Sequence, residues 1–488
     1  MVDRNVNISN TVKIDTIDTG ARQIMYTLEY HGYPTYIVGG CVRDLLLGKT
    51  PHDWDITTKA KPQEVADIAI KSGWKVIQNV GNSFGVMIVS LAGQSYEVAT
   101  FRSECYGEDS HRPSQVAYSE KLEDDVSRRD FTVNAMAIDK DGTLYDFFNG
   151  KEDLKNKTLR TVGSAISQFN EDALRLFRAC RFLAQLGFTA DQSLIAGISS
   201  ALCRVSGLSL ERVRIEVNKI LVAPYASRGL DLLVRSGLGN SSCRVKENGK
   251  YIKIPILPEL SHLVELPQMK QFHKYDVWNH TLVAVDAAPR NLITRWATLL
   301  HDVGKGLPGI REINENRITD HGHDLKGSCI AKEILTRWRM PKQLIHHVTW
   351  IVKEHMRFHY FAHHKEANVK KWIRQMAQNK LFFSSKEMIE AIRELTDVCK
   401  ADIVGCGYDT IDLIGHEQFG QYMISLAKRM PITTRELHYG TDVPQILSPY
   451  VAEGMQRILQ RVQNGQLKNE EVFIKEAAIR FRRRKEHA

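Results

Sequence analysis

The sequence predicts an α+β head followed by an all-helical remainder. Six short apolar, β-branched runs crowd between residues 35 and 148, and strand signals nearly stop after Asn149. Apolar positions then recur at helical spacing along 169–187, 191–204 and 208–222. The 488 residues, 43% hydrophobic and 25% charged, suit a folded chain. At roughly 150 residues each, about three domains are expected.

Taken in order, residues 1–20 are a polar lead-in and 20–150 form the head. Its strands come from TYIVG, DWDITT, FGVMIVS, SYEVATF, NAMAID and TLYDFF. A helical neck covers 151–236. Residues 237–270, with GLGNSSCRVKENGK and PILPEL, read as a strand-poor linker. A second helical domain spans 271–410, and a helical tail, 411–488, ends in the basic RFRRRKEH. No internal repeat or low-complexity tract stands out.

The net charge of +9 is a mild excess, compatible with a polyanionic partner without demanding one. MVDRNVNISN has no basic stretch leading into an apolar one, so no secretory signal is expected. No run approaches the roughly 18 apolar residues of a membrane span. The eight cysteines contain no CxxC pair, which argues against a zinc ribbon or a disulfide framework. A cytoplasmic location is the simplest reading.

The chemistry begins at YIVGGCVRDLLLGKTPHDWDI, 36–56. A β-branched strand enters Gly39-Gly40 and then an apolar-periodic helix, a turn in which phosphate can reach free backbone N–H groups. Arg43, one turn on, can meet a phosphate oxygen. Alone, the glycine pair reads equally well as a purely structural turn. Asp53 and Asp55 shift that balance. On a strand, residues i and i+2 share a face, so the two carboxylates should converge. Like charges that close call for a cation, and hard oxygens suit Mg²⁺. Glu97, in SYEVATF, is a candidate third acid and equally an ordinary strand-face charge.

GGCVRDLLLG with DWD, RRDFTVNA at 128–135, EDALRLFRACRF at 171–182 and ERVRIE at 211–216 together resemble the ordered motifs of class II tRNA nucleotidyltransferases. These CCA-adding enzymes share a family with bacterial poly(A) polymerases and have a polymerase-β-like head. The resemblance spans about 35 to 222. It implies that Asp53 and Asp55 bind the catalytic metals and that Gly40, Arg43 and Arg129 hold the triphosphate. Asp172 and Arg175 would read the base, with Arg178 and Arg181 nearby. Glu211 and Arg212 look like a buried ion pair or helix-turn element bracing the neck.

Base reading also follows from residue chemistry. Asp172 and Arg175 lie three apart, predicted on one helix face. A carboxylate only accepts and a guanidinium only donates. Cytosine and adenine each show an amine donor beside an acceptor nitrogen, whereas uracil and guanine reverse that order. A site built on such pairing can reject the wrong base on the order of 10⁴-fold. The plainer reading of EDALRLFRACRF is a charged helix face with internal ion pairs.

RSECYGEDSHRPSQ, 102–115, resembles the flexible loop of full CCA-adding members and favours a complete product. In VGNSFGVMI, Asn82-Ser83-Phe84-Gly85 resembles the CCA-adding version of a stretch that is basic in poly(A) polymerases.

Eleven of the 18 histidines fall between 273 and 364. His280, His301, Asp302, His323, His355 and Asp402 resemble the ligands of an HD-domain phosphohydrolase, with Gly304 and a phosphate-seeking Lys305 in HDVGKG. Imidazoles with a bridging carboxylate suit a transition metal that makes bound water nucleophilic. His346, His347, His359, His363 and His364 are left to the surface or the outer layer of that site. HD modules of this family are linked to phosphodiesterase, nucleotidase or phosphatase activities.

The expectation is therefore template-independent addition of CCA to tRNA from CTP and ATP, with Mg²⁺ in the head and a transition metal in the HD site. No membrane or protein partner is implied. RFRRRK at 480–485 is a candidate phosphate contact and equally a solvated tail. The rival readings are a poly(A) polymerase, or an HD phosphohydrolase whose head is a degenerate RNA-binding module.

Overall fold

The computed structural model describes residues 10–487 apart from 78–84, 107–112, 316, 365 and 409–411. The chain forms two compact units, Met1–Ser261 and His262–Ala488.

The first unit opens with α1 (Thr19–Tyr30), whose first turn is capped by Asp18 accepting from the Gly20 and Ala21 amides at 2.9 and 3.0 Å. Then come β1 (Thr35–Val38), α2 (Gly40–Leu46), β2 (Asp55–Thr58), α3 (Pro62–Lys71), β3 (Lys75–Ile77), β4 (Val86–Leu91) and β5 (Gln94–Thr100). β6 (Arg102–Tyr106) and β7 (Pro113–Tyr118) form a separate hairpin, followed by α4 (Leu122–Ser127), β8 (Met136–Ile138) and β9 (Leu144–Asp146). The main sheet has seven strands in the order β3-β4-β5-β2-β1-β8-β9. All six predicted strands form. The β-branched, alternately buried runs settle where both faces can be covered. β2 and β5 pair in parallel, with Asp55 opposite Glu97, and this register positions the site.

Two expectations change here. The flanks of the 102–115 loop are the paired strands β6 and β7, and its middle, 107–112, lies outside the described residues. Asn82, Ser83 and Phe84 of the VGNSFGVMI run lie outside them as well.

The neck contains α5 (Gly150–Lys155), β10 (Thr158–Leu159), α6 (Ala165–Glu171), α7 (Leu174–Leu186), β11 (Thr189–Ala190), α8 (Gln192–Ala201), α9 (Leu210–Leu221) and α10 (Ala226–Arg235). α7 packs against α9 and α10 and buries Leu176, Phe177, Ala179 and Cys180 completely. The stretch read as a strand-poor linker instead holds the hairpin β12 (Ser242–Glu247) and β13 (Lys250–Pro255). Asn248 and Gly249 turn it, with φ of 48° and 83°, the left-handed pair that a two-residue hairpin loop needs. Ile256, Leu257 and Leu260, fully buried, then anchor the segment in a core.

The second unit contains α11 (Val277–Ala287), α12 (Leu292–Leu300), the hairpin β14 (Arg311–Asn314) and β15 (Arg317–Asp320), α13 (His323–Arg337) and α14 (Lys342–His363). α15 (Val369–Gln378), α16 (Ser385–Gly405) and α17 (Leu413–Ala427) follow. α18 (Val443–Leu447), α19 (Val451–Gln463) and α20 (Glu471–Glu486) close around their own cluster, including Val443, Leu447, Ile458, Leu459, Ile474 and Ala478. α20 carries the RFRRRK run, in which Arg480 and Arg482 pair with Glu476 and Glu486 of the same helix.

Candidate functional site

In the head, β1 ends at Gly39, whose φ of 90° and ψ of −131° lie in territory open only to glycine. A Cβ there would sit 2.5 Å from Arg129 Nη1 and 3.5 Å from Asp55 Oδ2. The turn thus brings backbone, guanidinium and carboxylate to one point. α2 runs only seven residues, so its dipole is small and the glycine geometry matters more than the helix end.

Asp55 begins β2, but Asp53 sits in the bend before it and is exposed. The expected shared strand face is therefore replaced by a bend leading into a strand. Both aspartates still line one cavity of about 700 Å³ with Gly40, Arg43, Arg129, Asp172, Arg175, Arg178 and Arg181. Burial pushes the Asp55 carboxyl up; Arg129 opposes this and Asp53 adds to it. Burial, then Asp55 and Asp53, raise Glu97 likewise. No three of these head carboxylates come within 4.8 Å of one another; among the described residues such ligand groups lie in the second unit. The crowded negative charge fits a hard divalent cation held by Asp53 and Asp55, with Glu97 flanking.

The basic wall is built by pairing. Arg43 Nη1 donates to Asn134 Oδ1 at 2.6 Å, and Asn134 Nδ2 donates to Asp130 Oδ1 at 3.2 Å. Arg178 Nε donates to Asp130 Oδ2 at 2.7 Å. Burial alone would raise Asp130, but Arg178 and Asn134 hold it below the usual carboxylate range. Asp130 and Asn134 thus tie the glycine turn, RRDFTVNA and α7 together. The motif contained both, yet nothing in its spacing revealed the partnership.

Asp172 is not on the helix with Arg175. It is extended (φ −136°, ψ 101°) in the link between α6 and α7, where its Oδ1 accepts from the Leu174 amide at 2.9 Å. Burial raises its carboxyl against that bond and the nearby Arg175, Arg212 and Arg178. Arg175, 5% exposed, donates to the Arg128 carbonyl at 2.9 Å, to Glu171 at 3.0 Å and to Gln168. Arg181 turns into the neck, donating to Glu216 at 2.6 Å and Gln185 at 2.9 Å and stacking on Phe182 at 4.2 Å. The ion pair bracing the neck is therefore Arg181 with Glu216. Glu211 is exposed in the first turn of α9 instead.

In the second unit all six expected ligands converge. His280 Nε2 lies 3.1 Å from Asp402 Oδ1 and 3.1 Å from His301 Nε2. His301 Nε2 lies 3.2 Å from Asp302 Oδ2, and His323 Nε2 lies 3.3 Å from both Asp302 Oδ1 and His355 Nε2. His301, His323 and His355 donate through Nδ1 to the carbonyls of Thr298, Asp320 and Val352 at 2.7, 2.7 and 2.6 Å. A carbonyl only accepts, so each of these rings keeps a proton on Nδ1 and turns Nε2 toward the cluster. Nε2 atoms this close to one another, beside two carboxylates, suit a divalent transition metal. Burial opposes a charge on His301, yet Asp302 and Asp402 push its pKa up to about 10, so its Nε2 holds a second proton that a bound cation would displace. Burial, with His323 and His301, holds His355 well below its ordinary value. Lys305 Nζ reaches Asp302 Oδ2 at 2.7 Å and accepting Gln268 Oε1 at 2.9 Å. A cavity of about 950 Å³ opens onto Asp302, His323, Asp402, Lys305 and the β14–β15 hairpin.

His359, assigned to the surface or outer layer, lies in the outer layer of the cluster: its Nε2 is 2.9 Å from Asp402 Oδ2 and its Nδ1 2.9 Å from His416 Nε2. The signal was present, since His355 and His359 are four apart on α14. His347 is also not on the surface. It is 1% exposed, with Nδ1 2.6 Å from Glu394 and Nε2 3.3 Å from Glu387. His363 is exposed, and His364 stacks on Tyr360.

Three family models match the chain along its length. Residues 35–160 match the poly A polymerase head domain, 187–241 the probable RNA and SrmB-binding site of polymerase A, and 277–404 the HD domain. The three matches fall in that order on the sheet-bearing head, the neck and the helices that carry the histidine cluster.

Its relatives are CCA-adding enzymes. That of Geobacillus sp. (strain WCH70) is 44% identical over 215 residues, 44% of this chain and 52% of the relative. That of Geobacillus thermodenitrificans is 41% identical over 230 residues, 47% and 56% of the two chains. The chain thus spans about half the length of the curated relatives it matches. The crystal structure of the Bacillus stearothermophilus CCA-adding enzyme in complex with CTP is 27% identical, with a TM-score of 0.63 over 96% of this chain and 98% of that one. Among the described residues no helix is long and apolar enough to cross a membrane.

Proposed function

We propose that the head adds C, C and A in turn to the 3′ end of tRNA, using CTP and ATP. The observation that carries this reading is the single cavity shared by Asp53, Asp55, Arg129, Asp172 and the paired arginines. Arg129, Arg43 and the Gly39-Gly40 turn would orient the triphosphate so that the α-phosphate faces the attacking 3′-hydroxyl, with pyrophosphate leaving on the opposite side. Magnesium held by Asp53 and Asp55 would, when bound, favour the ionised hydroxyl and offset charge on the leaving group. Asp172 would accept from the amine of cytosine or adenine. Arg175 would donate to the neighbouring ring nitrogen after exchanging a bond to Gln168 or Glu171. One acceptor and one donor so placed would admit both C and A without a template.

The HD domain would hydrolyse phosphate esters. His280, His301, Asp302, His323, His355 and Asp402 would hold the transition metal, which supplies a nucleophilic hydroxide when bound. Lys305 would pair with the phosphate. Free cysteines and the absence of a spanning helix among the described residues agree with a cytoplasmic setting.

The test uses tRNA transcripts ending before CC, before C and before A, each incubated with single nucleotides and sequenced. Stepwise C, C, A is expected. Long A tracts from ATP alone would make the chain a poly(A) polymerase, and no incorporation would leave the HD site as the only enzyme.

A further inference from the structure

We infer that His273, His280 and Cys406 form a second metal site beside the HD cluster, one that takes a thiophilic divalent cation such as Zn²⁺ or Cd²⁺. One ligand atom from each of the three lies within 4.8 Å of the other two. His273 Nδ1 is 3.6 Å from Cys406 Sγ, and the His273 ring stands edge-on to His280 with centroids 5.0 Å apart.

His280 supplies the independent sign of a ligand. Its side chain is completely buried, and its Nε2 faces Asp402 and His301. Its Nδ1 is buried and has no hydrogen-bond partner among the described residues. Buried ring nitrogens are nearly always bonded, so an unpaired one marks a place where something else binds. The local fold keeps that atom accessible to the helix end that bears the thiol. A Cβ on Gly405 would come 2.9 Å from His280 Nδ1, and Cys406 is the next residue, one turn beyond Asp402. His273 and Cys406 both line the cavity over the HD cluster, which gives a cation its way in.

The donor set decides the class of metal. The HD cluster offers imidazoles and carboxylates, whereas this site adds sulfur, which favours Zn²⁺ or Cd²⁺ over Mg²⁺ or Mn²⁺. On binding, the Cys406 S–H bond breaks as the sulfur–metal bond forms, and a proton on His280 Nδ1 leaves in the same way. Both protons go to solvent and no oxidation state changes. The two metal sites share the His280 ring, so loading one alters the other.

The experiment reads binding and needs neither proposed activity. Full-length protein carrying Cys203→Ser and Cys329→Ser, which removes two exposed thiols, is stripped of metal and titrated with Cd²⁺. The thiolate-to-cadmium charge-transfer band is recorded. The band is expected to grow to one equivalent, to vanish in Cys406→Ser, and to need at least about tenfold more Cd²⁺ in His273→Gln, in line with loss of a ligand contact. Mn²⁺ affinity should stay within about threefold in both variants, because the HD ligands remain. A full band in Cys406→Ser overturns the inference, as does an unchanged Cd²⁺ affinity in His273→Gln. Should Cys406→Ser lose Mn²⁺ binding as well, the His273→Gln titration decides.

Discussion

At the scale of single residues, the head cavity is held together by charges that cannot be removed one at a time. Glu216 shows this most clearly. Its ion-pair partner Arg181 is 8% exposed, so Glu216→Ala would leave a guanidinium buried without its counter-charge. A loss of about 3 kcal/mol in unfolding free energy is expected, with Glu216→Gln costing less because the hydrogen bond survives. Denaturant melts of the two variants check this. Gly39 sets a different limit. Gly39→Ala would push a methyl group to 2.5 Å from Arg129 in a backbone region closed to alanine, and CTP incorporation should fall at least about 100-fold. Single-turnover kinetics with a tRNA acceptor measure that loss. Asp172→Asn keeps an oxygen for the Leu174 amide but adds an N–H donor. Discrimination of CTP against UTP should then drop from about 10⁴ toward about 10, read as a ratio of kcat/KM values.

At the scale of elements, the residue patterns gave strands and helices more reliably than they gave the points between them. Alternating apolar runs placed all six predicted strands, because burial on a sheet face leaves a period of two in the sequence. Asp53 and Asp172 were harder, since each lies just outside a regular element and its conformation is set by neighbours distant in the chain. Asn248-Gly249 is a strong turn signal between alternating strands, and the polar composition around it hid the hairpin. The arginines of α7 were legible as a group, but their partners Asp130, Gln168 and Glu216 come from three other segments, and only the fold joins them.

One helix pair carries a pH-dependent link. His347 on α14 sits between Glu394 and Glu387 of α16. Burial lowers its basicity, but these two carboxylates outweigh that and raise its pKa above 6.5. A raised folded-state value means the imidazolium stabilises the fold fully below the unfolded value near 6.5 and loses that contribution as pH climbs through the folded value. The stability gap between the native chain and His347→Gln should be widest at pH 6 and shrink as the medium becomes alkaline. Thermal melts across that range test the direction, and a gap that widens with pH would refute it.

For the whole molecule, the two compact units keep the two chemistries separable. The head cavity is lined only by residues before 186, and every expected HD ligand lies after 279. Asp55→Asn should abolish nucleotide incorporation while sparing metal binding by the HD cluster, and Asp302→Asn should do the reverse. Each loss should exceed about 100-fold, since each removes a charged ligand from a metal site. Metal content by mass spectrometry and labelled CTP incorporation, run on both variants, separate the outcomes.

The hairpin β14–β15 interrupts the sequence between His301-Asp302 and His323, and it forms part of the wall above the HD cluster. Its strands pair with each other, while the ligands on either side are carried by helix ends. Lengthening that finger while keeping Asp320, whose carbonyl holds His323 Nδ1, would remodel the doorway and leave the metal-binding framework in place. Under the phosphohydrolase reading proposed above, evolution, or an engineer, has a place to retune which esters would be admitted while the metal ligands beneath stay as they are.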